Sequence, residues 1–235
     1  MKIVFTGGSG RFGKIFKEKT KLKNVLYPKR YQLDITNLKS IQKYLKKHKP
    51  KVLVHAAGLS RPMELHEKNI GKSIKTNIIG TCNVVIACSE LKIKIVYLST
   101  CYVYPGVKGN YKEDYPLLPY NNYAWSKLGG ESALNMYNNS LVIRLCMTEK
   151  PFIHKYAFKD MITNFMFHED FVKIFPKLIH KKGILNVGGK TLSPYKFAKK
   201  YNKKVVGVNS FKILKKKIPL KHSMNLSKLK NILND

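Results

Sequence analysis

Short, unbroken apolar runs alternate along this chain with longer stretches in which apolar residues recur every three or four positions. The first run, Ile3-Val4-Phe5 inside Lys2 to Thr6, is of strand type, and the pattern from Lys14 to Lys21 is helical. Asn24 to Tyr27 reads as a second strand. Ser40 to His48 predicts a helix with Ile41, Tyr44 and Leu45 on one side, and Lys51 to His55 predicts the strand after it. A long helix is expected over about residues 72–91, followed by strands at Lys94 to Leu98 and at Val142-Ile143-Arg144. Strands alternating with helices this regularly imply a parallel sheet covered on both faces, so the fold class is α/β with a doubly wound sheet.

Between the first strand and the first helix lies Gly7-Gly8-Ser9-Gly10-Arg11-Phe12-Gly13. In that setting the backbone can approach a pyrophosphate and hold its charge against the free N–H groups of a helix N-terminus. Two registers fit, Gly7-x-x-Gly10-x-x-Gly13 and Gly8-x-Gly10-x-x-Gly13; with Arg11 and Phe12 they mark a dinucleotide site on a Rossmann-type sheet. A plain glycine turn is the competing reading. Where such folds select NAD, an acidic residue about 20 positions on receives the ribose hydroxyls. Here Lys29 and Arg30 occupy that region, which favours the 2′-phosphate of NADPH over NADH. The third strand ends in Ala56-Ala57-Gly58, small residues that let a cofactor lie against the backbone.

At 235 residues and 44% hydrophobic, the chain can bury one substantial core, or a main domain with a small appendage. No run nears the roughly 18 apolar residues that a membrane-crossing helix needs, and the start reaches glycine too soon for a signal peptide, so a cytoplasmic location is expected. Cys82, Cys88, Cys101 and Cys146 lack ligand or redox spacing and read as reduced thiols, with no metal site expected. The formal charge of +32 invites a nucleic-acid role. Yet only Arg11, Arg30, Arg61 and Arg144 carry the bidentate fork that base and phosphate readers favour, and the lysines are spread throughout. A nucleic-acid partner is therefore not expected. From Phe171 onward 17 lysines accompany one acid, Asp235, making either an end that attracts polyanions or a heavily solvated face.

Tyr123 and Lys127 stand four residues apart, one helical turn, so a phenol and an ammonium could act on the same bound atom. In a chain with 14 tyrosines that spacing is weak by itself, and its company decides. The ordered set Thr6–Gly13, Leu33–Thr36, His55–Gly58, Asn77–Thr81, Ser99–Tyr104, Tyr123–Lys127, Val142–Arg144, His168–Asp170 and Gly183–Gly189 resembles the extended short-chain dehydrogenase/reductases that act on nucleotide sugars. The resemblance covers nearly the whole chain. It implies that Tyr123 is the general acid/base, that Lys127 binds the nicotinamide ribose and lowers the phenol's pKa, and that Thr100 hydrogen-bonds the reacting oxygen. Hydride delivery to a ketone leaves an alkoxide, and a phenol of pKa about 10 must be tuned toward neutrality to protonate it efficiently. A nearby ammonium has that effect. Asn77 matches an asparagine that braces the family's site, with a surface or capping asparagine as the equal alternative. Asp34, followed by Ile35, matches the aspartate near the adenine, and a turn or capping role competes. His55, at a strand end, reads as structural.

Dehydratases of this family carry Thr-Asp-Glu before Val-Tyr; Thr100-Cys101-Tyr102 has neither carboxylate, so dehydration is not expected. The Thr-x-Tyr-Val-aromatic pattern and Asn225-x-Ser227-Lys228-Leu229 are similar to dTDP-4-dehydrorhamnose reductases. Aligning the Tyr-Pro of GDP-fucose synthases onto Tyr104-Pro105 puts their acid/base cysteine at Tyr102, which leaves Cys101 as a small packed residue. The expectation is an NADPH-dependent reductase of a nucleotide-linked 4-keto-6-deoxy sugar, with Ser60, Thr100, Tyr102 and Tyr123 near the reacting carbon. A 4-epimerase with retained NAD and a non-catalytic dinucleotide-binding sensor or scaffold are the alternatives. Residues 1–145 are expected to form the dinucleotide-binding domain, and 146–235 mainly a small substrate-binding portion with about 183–188 returning to the sheet. Family dimers pair the helices matching 72–91 and 123–138, so a homodimer is an open expectation.

Overall fold

The computed structural model describes residues 1–234; Asp235, the acid of the lysine-rich tail, lies outside the described residues. In chain order, β1 (Ile3–Thr6) leads directly to α1 (Arg11–Lys19), then β2 (Val25–Leu26), α2 (Leu38–His48) and β3 (Val52–His55). Next come α3 (Glu64–Lys68), α4 (Ile70–Ser73), a π-helical segment Ile74–Ile79, α5 (Gly80–Glu90) and β4 (Lys94–Leu98). A 3₁₀ turn at Cys101–Val103, α6 (Asn122–Asn135) and β5 (Ser140–Leu145) follow. The remainder holds β6 (Met147–Thr148), β7 (Tyr156–Phe158), β8 (Met166–Phe167), α7 (His168–Leu178), β9 (Gly183–Val187), α8 (Pro194–Lys199), β10 (Val206–Val208), α9 (Ser210–Leu214) and α10 (Ser227–Asn234).

Six strands form one parallel sheet in the order β2-β1-β3-β4-β5-β9. The chain leaves β1 for β2 on one side and returns to β3 on the other, so the strand order reverses at β1. Such a switch point opens a crevice beyond the carboxyl ends of the strands. The sheet is Rossmann-like and apolar on both faces. Phe5, Phe16, Phe171 and Phe175 pack on one side, and Ile41, Leu53, Val84 and Ile95 on the other. Phe5 stacks on Phe16 with ring centroids 4.4 Å apart. Each side chain buried this fully stabilises the fold by about 1.5–3 kcal/mol, which fixes the crevice floor.

The ends of several elements differ from those read in the sequence, for local reasons. The strand expected over 24–27 shortens to Val25–Leu26, an edge strand paired only with β1 through Ile3 and Val4. Helix α2 begins at Leu38 because the Asn37 side chain caps it, accepting the Ser40 N–H at 3.1 Å. The helix expected over 72–91 starts at Ile70 and widens into a π-helical segment around Asn77 before resuming as α5. Past β5 the chain builds two small parallel pairs, β6 with β8 and β7 with β10, beside the crevice. It also returns to the sheet: β9 pairs with β5, while Phe171, Val172 and Phe175 of α7 and Leu229 of α10 join the core beneath α1. Among the described residues no helix is long and apolar enough to cross a membrane, and no cluster of His, Cys, Asp or Glu could hold a metal. The four cysteines are free thiols, and Cys101 is fully buried.

Candidate active site

A crevice of about 870 Å³ runs along the carboxyl ends of β1, β3, β4 and β5. Its first wall is glycine-rich: Gly7, Gly10, Arg11, Phe12 and Gly13 from the turn into α1, with Ala56, Gly58 and Ser60 after β3. The turn is closed by the Gly10 N–H donating to the Gly7 carbonyl at 3.0 Å. Gly7 sits at φ +80°, where a Cβ would lie 2.7 Å from the Ala57 nitrogen, and a Cβ on Gly13 would collide with the Gly7 carbonyl. Side chains at these points would fill the cradle in front of the α1 N-terminus, so the residues present fit a dinucleotide pyrophosphate. Ala57 supports the turn from below, its N–H donating to Thr6 Oγ1 at 3.2 Å. His55 is structural: Nδ1 lies 2.9 Å from Thr6 Oγ1 and Nε2 3.1 Å from Thr81 Oγ1, and burial, aided by the Lys127 charge, holds its pKa down at about 3.

Tyr123 and Lys127, from the first turns of α6, line the crevice together with Thr100, which follows β4, and Tyr102 of the 3₁₀ turn after it. Helix α6 begins where it does because Asn121 caps it, accepting the Ala124 N–H at 2.8 Å. Lys127 is 7% exposed, with Nζ 4.0 Å from the centroid of the Tyr97 ring. Burial lowers its pKa to about 7, against the pull of Glu131 one turn further on. Glu131 is itself fully buried: it accepts from the Ser99 hydroxyl and forms a paired contact with Arg144, whose Nη2 lies at 2.8 Å. Burial pushes the Tyr123 phenol up to about 12, with the Thr100 hydroxyl acting in the opposite direction. The largest influence on the phenol in this structure is its burial. The ammonium lies against the Tyr97 ring, and desolvation of the phenol dominates.

Asn77 is buried between the loop after β3 and the start of α6. Its Oδ1 accepts the Leu59 N–H at 2.7 Å, and Nδ2 donates to the Leu59 carbonyl and to Ser126 Oγ, each at 2.8 Å. Ser126 then donates to the Tyr123 carbonyl at 2.7 Å, so the loop after β3 and the start of α6 are held by one chain of bonds. Four other residues singled out for cofactor contact lie away from the crevice lining. Lys29 and Arg30 are exposed beyond β2, and Arg30 pairs with Asp34 at 3.2 Å. Asp34 serves a turn, accepting from the Thr36 N–H and hydroxyl at 2.9 and 2.8 Å. Ile35 is core, packed under Gly80.

The sequence reading missed much of the wall that faces the glycine turn. Phe158, Met161, Phe165, Ile213, Lys216 and Ile218 line it, from short segments with no distinctive spacing. Glu149, which lies between Arg11 at 3.4 Å and Arg61 at 3.3 Å, was equally silent. Glu67 carried no signal either, yet its carboxylate accepts from the Asn122 side chain at 2.6 Å.

A doubly wound sheet with a glycine-turn crevice and a Tyr/Lys pair on α6 is the arrangement of the short-chain dehydrogenase/reductase type. Residues 1–150 match the family described as RmlD substrate binding domain, and the chain belongs to that family. The chain is 33% identical to GDP-L-colitose synthase of Yersinia pseudotuberculosis over 108 residues, 45% of this chain and 35% of that protein. It is 32% identical to dTDP-4-dehydrorhamnose reductase of Streptomyces griseus over 106 residues, 45% of this chain and 34% of that one. These matches thus span about a third of the relatives' length. The fold is similar to that of dTDP-4-dehydrorhamnose reductase from Bacillus anthracis in complex with NADP, with a TM-score of 0.87 at 24% identity, covering 100% of this chain and 93% of that one.

Proposed function

We propose that the protein is an NADPH-dependent reductase of a nucleotide-linked 4-keto-6-deoxy sugar. The observation that carries this reading is the convergence of Tyr123, Lys127 and Thr100 in the same crevice as the Gly7–Gly13 turn. The Gly7–Gly13 turn would hold NADPH, which would supply a hydride to the ketone carbon. Thr100 donates to the ketone oxygen and fixes it beside the Tyr123 hydroxyl. As negative charge grows on that oxygen, Tyr123 passes its proton to it, a role in which a well-placed acid contributes roughly 10²- to 10⁴-fold. A phenol held neutral by burial is in the protonated form that this direction requires. Lys127, with a pKa of about 7, stabilises the phenolate left behind and hands on a proton to restore it. Lys29 and Arg30, exposed in the loop beyond β2, are the groups offered to a 2′-phosphate. The relatives named above include a dTDP-4-dehydrorhamnose reductase, which supports the choice of sugar class.

Mixing purified protein with NADPH and a dTDP- or UDP-linked 4-keto-6-deoxyglucose, with and without a separate 3,5-epimerase, tests the reading through nicotinamide absorbance. Stoichiometric loss of NADPH is expected. Conversion of the sugar with no net NADPH loss would make the protein an epimerase with retained NAD. NADPH binding with no conversion of any keto sugar would make it a dinucleotide-binding sensor or scaffold.

A further inference from the structure

His66 lies in α3, a five-residue helix on the loop that follows β3, and nothing in its sequence setting marks it out. Its side chain is fully buried. Nδ1 is 2.7 Å from Ser73 Oγ, which anchors the ring to α4, while Nε2 is buried with no hydrogen-bond partner. An imidazole nitrogen left unpaired in the interior is costly, so a ring placed in this way calls for an explanation. The aromatic ring beside it is Tyr123: the centroids are 5.1 Å apart and the planes meet at 64°, edge to face. Such a contact favours one orientation of both rings, because the polarised edge of one meets the electron-rich face of the other.

The segment that carries His66 is fastened to the Tyr123 helix by independent bonds. Glu67 accepts from the Asn122 N–H at 3.2 Å and from its side chain at 2.6 Å, and the Asn122 side chain also reaches the His66 carbonyl at 3.4 Å. At the other end, Leu59 is held by Asn77. The loop therefore does not drift relative to α6, and His66 is pinned from Ser73 on one side and through its neighbours to Asn122 on the other. Its ring forms a fixed stop against a phenol that the backbone of α6 alone would leave free to turn about χ1 and χ2.

We propose that His66 is a positioning residue for Tyr123, its ring edge setting the plane in which the phenol meets the oxygen it protonates. This inference rests on the reductase reading for its catalytic consequence but not for its geometric one. Burial and the Lys127 charge lower the pKa of the imidazole, while the Glu67 carboxylate opposes them, so the ring is neutral at physiological pH and meets the phenol without a charge of its own.

The test compares wild type with His66→Ala and His66→Phe, using turnover, NADPH affinity and the ¹⁹F spectrum of protein carrying 3-fluorotyrosine at position 123. His66→Ala is expected to lower kcat roughly tenfold or more, as misplaced reacting groups do, while KM and the NADPH Kd move less than about twofold. Its ¹⁹F line should shift toward that of an exposed, averaging ring. His66→Phe, which keeps an aromatic edge, is expected to recover most of kcat and the wild-type line. An Ala variant with unchanged kcat and line would overturn the proposal. So would parallel loss of kcat, NADPH binding and melting temperature in both variants, since that pattern marks a residue needed only for folding. If the wild type reduces no keto sugar, the reductase reading fails, and the ¹⁹F comparison alone decides the role of His66.

Discussion

On one wall of the crevice a ligand would meet backbone: Gly7 and Gly10 ahead of α1 and Gly13 in its first turn, then Ala56 and Gly58 after β3. On the other wall it would meet Phe158, Met161, Phe165, Ile213 and Ile218, side chains brought together from separate short segments. The first wall recognises by close approach and by the dipoles of free N–H groups, so its chemistry depends on what is missing from each residue. The second offers volume and apolar surface, with Lys216 as the one lysine that lines the crevice after Leu145 among the described residues. A chain with a formal charge of +32 thus brings little of that charge to the substrate side. Most of its lysines make a solvated exterior, and net charge tells little about this site.

Removing the reacting group between the walls has the largest expected effect. Tyr123→Phe should lower kcat about 10²- to 10⁴-fold while fluorescence titration gives an unchanged NADPH Kd. Retained turnover would take the proton-donor role away from Tyr123. On the backbone wall, Gly7→Ala puts a Cβ at φ +80° and 2.7 Å from the Ala57 nitrogen. NADPH should bind roughly tenfold more weakly, for a strain of about 1–2 kcal/mol, with a smaller effect on sugar binding at saturating NADPH. Equal weakening of both ligands would mean that the two walls are not independent.

Each wall also stands on a buried neutral histidine, and acid should expose both. His55, under the glycine turn, is held down at about 3, and His222, which packs against Tyr102, at about 4, each chiefly by burial. From about pH 6.5 downward the unfolded chain takes up protons that the folded chain refuses, so their contribution to stability is full above that pH and falls as pH drops toward 4. Calorimetric melting temperatures should decline across that window, and His55→Asn should flatten part of the decline. A pH-independent melting temperature would contradict the burial argument. The smallest effect belongs to the substrate wall: Lys216→Met should raise the sugar-nucleotide KM only a few-fold, less so at high salt, and leave the NADPH Kd unchanged.

The same contrast explains what could be read from the amino-acid sequence. Local spacing made the glycine turn, the α/β alternation and the Tyr123/Lys127 turn visible, because each function lies within one element and its neighbour. For Asn77 the family resemblance offered a bracing role beside a surface or capping one, but not its partners: its bonds to Leu59 and Ser126 cross 18 and 49 positions. The turn reading of Asp34 was legible for the opposite reason, since a carboxylate two residues before Thr36 makes a turn of its own. The effect of Lys127 on the phenol could not be judged without burial, which moves both groups further than their mutual charge does. His66, Glu149 and the apolar wall have no local signature, because tertiary packing alone creates their neighbours.

The most direct test of the central claim is a single-turnover reaction with NADPH deuterated at the transferable position of the nicotinamide and a dTDP-linked 4-keto-6-deoxy sugar. Mass spectrometry of the product should show one deuterium on the sugar for each NADP⁺ formed, and none in the Tyr123→Phe reaction over the same time. An unlabelled product formed without NADP⁺ would contradict the account and assign the crevice to a reaction in which the cofactor is not consumed.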